Sequence, residues 1–67
     1  MYTVSQDKDS GLWYAHMVGY PYIPVMSERG TFHKTKRGAL AVAADSMGLP
    51  YKEYMEVRKA RCTQYRT

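Results

Sequence analysis

The run Ala39-Leu40-Ala41-Val42-Ala43-Ala44 constrains the fold most. Four small side chains in six residues let a helix lie very close to whatever it covers, so the covering surface must supply the bulk. Thr35 is placed to cap such a helix, its hydroxyl accepting from a free N–H of the first turn. The helix is expected over Lys36 to Met47, with Leu40, Ala43, Ala44 and Met47 along one face. Gly48 suits the residue just past its end, and Pro50 the first turn of another helix. That second helix, about Pro50 to Cys62, sets Tyr51, Tyr54, Met55, Arg58 and Cys62 on one stripe and Lys52, Glu53, Glu56 and Lys59 on the other face.

The first half reads differently. Residues 2–6 alternate apolar and polar over too short a span for a helix, which predicts a half-buried strand. Asp7, Lys8, Asp9, Ser10 and Gly11 supply hairpin-loop chemistry. Leu12 to Val18 reads as a second strand with Trp13, Ala15 and Met17 on one face and Tyr14 and His16 on the other. Both faces are usable, which places it centrally. Pro21 and Pro24 cannot donate to a ladder, so a third strand around Tyr22 to Met26 must be an edge strand or begin after Pro24. The expected fold is α+β: a three-stranded antiparallel sheet packed on one α-helix and followed by a C-terminal helix, in the order β-β-β-α-α. Residues 1–67 form a single domain, with 2–48 the sheet-plus-helix core, 50–62 the C-terminal helix and 63–67 a tail. Trp13 and Met17 are expected to be buried against Leu40, Ala43 and Met47, so that Trp13→Ala would cost about 3–5 kcal/mol.

A chain of 67 residues has room for one small core and little for a catalytic cleft. One cysteine excludes an internal disulfide, and with His16 and His33 it makes no zinc set of familiar spacing. Asp7 to Gly11 faintly suggests a calcium loop, but the twelfth position is Val18 rather than a glutamate. No metal, cofactor or active site is therefore expected. No apolar run approaches the length of a membrane span, and residues 1–7 lack the basic start and apolar run of a signal peptide. The expectation is a soluble, non-enzymatic protein in a reducing, cytoplasmic setting, with no membrane partner.

Charge divides sharply along the chain. Residues 1–32 carry two basic against three acidic side chains, and residues 33–67 carry eight against three, for a total of +4. The excess favours an anionic partner. Lys34, Lys36 and Arg37 surround a helix N-terminus, where the helix dipole disfavours cations, and such a cluster together with free N–H groups suits a phosphate. Arg29 at a turn and Arg58, Lys59 and Arg61 on the last helix extend the basic set. Tyr14, His16, Tyr20 and Tyr22 are candidates for an aromatic platform or a protein-binding face, or for ordinary packing under the second helix.

Gly11 to Met17, then Gly30-Thr31-Phe32 and the alanine-rich helix, resemble the DNA-binding domain of plant ethylene-response factors. They also resemble the arm-binding domain of tyrosine-type phage integrases. The resemblance covers residues 2–48 and implies a three-stranded sheet laid in the DNA major groove with the helix behind it. The sheet of those families is rich in arginine, whereas this one offers Tyr14, His16 and Tyr22, with Lys8 and Arg29 only at its turns. Tyr2, Val4, Asp9, Gly11, Tyr14, Ala15, Thr35, Ala39 and Leu40 also look like the N-terminal domain of HicB antitoxins, which inhibit a small partner ribonuclease. Residues 35–44 are similar to the last helix of double-stranded-RNA-binding domains. The leading expectation is a nucleic-acid-binding accessory or regulatory factor of a phage or mobile element, with DNA favoured over RNA. The alternative is an inhibitor or adaptor that binds a protein through the tyrosine-rich sheet face.

Overall fold

Alternating side chains and a tight turn build the first two elements of the computed structural model, which describes residues 1–65 and side chains through Ala60. Strands β1 (Tyr2–Gln6) and β2 (Trp13–Met17) pair antiparallel, with Val4 opposite Ala15 and Thr3 opposite His16. The Asp7 carboxylate closes the hairpin loop by accepting from the Ser10 hydroxyl at 2.7 Å and the Ser10 N–H at 3.3 Å. Those bonds, the hydroxyl's foremost, hold the Asp7 pKa below its ordinary value.

The third strand is not where the sequence predicts it. Strand β3 is Phe32–His33, antiparallel to β2 with Phe32 opposite Tyr14 and His33 opposite Trp13. The expected segment, Tyr22 to Met26, follows two tight backbone contacts, Tyr20 N–H to Met17 at 2.9 Å and Ile23 N–H to Tyr20 at 3.2 Å. It touches the sheet through one ladder-like bond, from the Val25 N–H to the Ala15 carbonyl at 2.8 Å. Pro21 and Pro24 have no N–H to offer, so pairing cannot extend along this segment. The sheet order is β1-β2-β3, with β2 central.

Helix α1 (Lys36–Ser46) starts as expected: the Thr35 hydroxyl accepts from the Gly38 N–H at 3.2 Å. Gly38 packs closely on β3: a Cβ there would lie 3.1 Å from the His33 Cβ, so the histidine side chain would have to shift by a few tenths of an ångström. At the other end Gly48 takes φ +69°, a left-handed conformation that glycine adopts without strain, and the Leu49 N–H bonds the Ala44 carbonyl at 3.1 Å. Helix α2 is Tyr51–Tyr65.

The core holds Ala15, Leu40, Val42, Ala43, Ala44 and Tyr54, with Tyr2, Val4, Val25, Met47, Leu49, Tyr51 and Met55 packed around it. The sequence assigns the right face of β2 to the helix but the wrong side chains to its centre. Ala15 is fully buried, whereas Met17 is 45% exposed and Trp13 only half-buried. Small residues meet small residues where α1 crosses the sheet. Trp13 and Met17, at opposite ends of a five-residue strand, spread to the rim. The bulk expected from Trp13 comes instead from Tyr54 of α2, which is completely enclosed. The expected α2 stripe holds from Tyr51 to Arg58; Cys62 lies outside the described side chains.

Candidate nucleic-acid interface

Lys34, Lys36 and Arg37 are all exposed around the start of α1, and no acidic residue stands in its first turn. The Thr35 cap satisfies the Gly38 N–H, which leaves the N–H groups of Lys36 and Arg37 at the helix mouth without intrahelical carbonyl partners. Two of the three cations are seated on rings. The Lys36 ammonium lies 5.6 Å from the centre of the Trp13 ring, and the Arg37 guanidinium 5.4 Å from that of Tyr51. Such contacts hold a charge in place without neutralising it. The sequence points to the three cations but not to the rings beneath them. No local signal gave this pairing, because Trp13 and Tyr51 lie far along the chain from the cations they brace.

Tyr51 carries the surface onward. Together with Lys52, Met55, Glu56, Arg58 and Lys59 it lines an open groove of about 640 Å³ along α2. Arg58 is half-buried and turns inward, its Nη1 donating to the Thr3 Oγ1 at 3.0 Å. Lys59 is exposed on the same helix, and Arg61 lies outside the described side chains. Arg29 stands apart, its Nε 3.2 Å from the Asp45 carboxylate with both side chains more than half exposed.

The aromatic candidates do not form one platform. His16 is 4% exposed and held inside the molecule. Its Nδ1 lies 2.9 Å from the Met17 carbonyl, which can only accept, so Nδ1 donates there, and its Nε2 pairs with the Ser5 hydroxyl at 2.6 Å. With both ring nitrogens engaged and the ring enclosed, His16 is not available to a ligand, which corrects its expected place in the interface. Tyr14 donates its hydroxyl to the Pro21 carbonyl at 2.7 Å and sets its ring edge-on to Phe32, with centroids 5.7 Å apart. Tyr22 belongs to the loop and not to the sheet; it is 72% exposed and packs edge-on against Tyr20.

Among the described residues no group of histidine, cysteine, aspartate and glutamate could hold a metal ion, and no helix is long and apolar enough to cross a membrane. No family model, curated protein or solved structure matches the chain.

Proposed function

We propose that the chain binds nucleic acid through the mouth of α1, with duplex DNA the first substrate to test. The observation that carries this reading is the exposed cation set Lys34, Lys36 and Arg37 around a helix N-terminus without an acid, two of the cations braced on Trp13 and Tyr51. A phosphate at that position would take the Lys36 and Arg37 N–H groups and the cationic side chains together. Placing cations there works against the helix dipole, a cost of about 0.3–1 kcal/mol per charge that an anionic ligand reverses. The groove that Tyr51 and Lys52 share along α2 offers a path for the next stretch of backbone, with an aromatic face suited to stacking. A place as a regulatory or accessory factor of a phage or mobile element rests on the resemblance to integrase arm-binding domains.

Binding of a labelled duplex DNA, followed by anisotropy at a series of salt concentrations, tests the site. Lys34→Ala, Lys36→Ala and Arg37→Ala should each weaken binding and each flatten the slope of log affinity against log salt by about 0.9. A parallel titration with duplex RNA assigns the polymer. Absence of binding to either duplex at low salt, or an unchanged slope in all three variants, overturns the reading.

The alternative of an inhibitor or adaptor draws support from a different surface, the exposed loop that carries Tyr20 and Tyr22. A lysate pull-down separates the two readings. A specific protein lost with Tyr22→Ala favours the adaptor, and nuclease-sensitive recovery lost with the Lys36→Ala, Arg37→Ala double variant favours nucleic acid.

A further inference from the structure

Nine consecutive residues, Val18 to Met26, carry no charge in a chain with 16 Lys, Arg, Asp and Glu side chains. They also present most of the exposed large apolar side chains. Met26 is 84% and Tyr22 72% exposed, while Val18, Tyr20, Ile23 and the adjoining Met17 of β2 lie between 45% and 57%. Taking about 200 Å² for a whole side chain of this size, these six leave roughly 700 Å² open to water. With backbone and hydroxyl atoms counted in that sum, its apolar part lies near the upper end of the largest apolar patch of an ordinary monomer, about 300–600 Å². The whole sum approaches the roughly 800 Å² per partner of a standard stable interface.

The patch contains both a hole and the knobs to fill one. Tyr2, Met17, Tyr20, Ile23, Pro24 and Val25 line a pocket of about 360 Å³. Tyr22 stands beside it with its ring 6.0 Å from that of Tyr20, and Met26 follows the Val25 wall. We propose that this corner is the interface of a homodimer, in which a two-fold axis seats Tyr22 and Met26 of each copy against the pocket of the other. A patch that holds knob and hole side by side is self-complementary and closes at two copies.

Charge supports a second copy as the occupant. Each copy carries +4, and its densest basic cluster lies at the Trp13 end of β2, over which Lys36 sits. The pocket lies at the Met17 end, so pairing there keeps the clusters of the two copies apart. An uncharged face has nothing with which to select a charged partner. A core this small also gains from association, which extends the buried apolar area beyond what one copy can supply.

Sedimentation velocity on the purified chain, without nucleic acid and with a reducing agent to prevent disulfide formation through Cys62, tests this directly. The wild type should pass from monomer to dimer between low and high micromolar concentration. The Tyr22→Ala, Met26→Ala double variant alters side chains that are mostly in water, so its fold should persist by circular dichroism. Each substitution counts twice in a two-fold interface, and the midpoint should rise at least about tenfold, the ratio that corresponds to 1.4 kcal/mol. Ile23→Glu, which puts a charge on the pocket wall, should give monomer throughout. A wild type that stays monomeric over the whole range overturns the proposal, as does a folded double variant that dimerises like the wild type. A host protein captured by this loop while the free chain stays monomeric assigns the patch to that protein instead. Because nucleic acid is absent, none of these outcomes bears on the basic cluster.

Discussion

Tyr54 is carried by the last helix, yet its hydroxyl ends on the first strand, donating to the Tyr2 carbonyl at 2.7 Å. The ring fills the centre of the core while the hydroxyl satisfies a backbone oxygen on the outer edge of β1. Tyr54→Phe keeps the ring and deletes the bond, and should cost about 1 kcal/mol in urea unfolding. Burial raises the Tyr54 pKa above its ordinary value of 10.0, with the Arg58 guanidinium partly opposing the shift. The folded state therefore holds this proton more tightly than the unfolded chain does. Its contribution is complete below the unfolded pKa and is lost as pH rises through the higher folded one. The wild type should lose stability more steeply than Tyr54→Phe above about pH 10, which unfolding midpoints measured on both sides of that pH will show. His16 is the opposite case, a polar ring enclosed by matched partners; Ser5 and the Met17 carbonyl leave neither nitrogen unpaired.

At the scale of elements, α1 lies against the sheet through small side chains, Ala15 below and Ala39, Ala43 and Ala44 above, all buried. Close approach makes the larger buried residues of this layer sensitive to truncation. Leu40→Ala should cost about 2–5 kcal/mol, a large fraction of the stability of so small a domain. Trp13→Ala should cost clearly less than Leu40→Ala, because Trp13 is half-buried and sits at the rim under Lys36. Denaturant midpoints of the two variants rank them. The reverse order would restore Trp13 to the centre of the core. The short β3 has a matching physical cause. Its two residues pair with β2, and two positions further on Thr35 already caps α1, so the chain turns into the helix before the ladder can lengthen.

The molecule as a whole separates its surfaces. The cations at the mouth of α1 occupy one end of β2 and the uncharged loop the other, with the Arg29–Asp45 pair contributing little because it is exposed. A net charge of +4 and uncompensated cations at a helix N-terminus both oppose folding at low ionic strength. Stability should therefore rise when salt screens them. Between very low and physiological ionic strength the gain should be about 0.3–1 kcal/mol, read from urea midpoints in a neutral salt at a concentration too low for association. A fall in stability with added salt would mean that attractive pairs dominate the surface.

Thr35, Gly48, the Asp7 to Gly11 turn and the alternation in residues 2–6 and 12–18 are local signals, and each marks its element because a cap, a left-handed residue or a side-chain period acts within a few positions. The β-β-β-α-α order and the face of β2 turned to the helix follow from them, as does the grouping of Lys34, Lys36 and Arg37, which are neighbours in the chain. The position of β3 was not legible, since it depends on which of two segments could supply N–H groups to the far edge of β2, and the prolines denied that role to the nearer one. The α2 stripe that carries Tyr54 was legible, but not that its ring fills the centre of the core and its hydroxyl reaches Tyr2, 52 positions away. The enclosure of His16 and the rings under Lys36 and Arg37 belong to the same class. Local chemistry acts within a helical turn or a hairpin and so is written in the sequence. The choice of which bulky side chain enters a core lined with alanines depends on how closely distant elements can approach, and only the packed tertiary structure decides it.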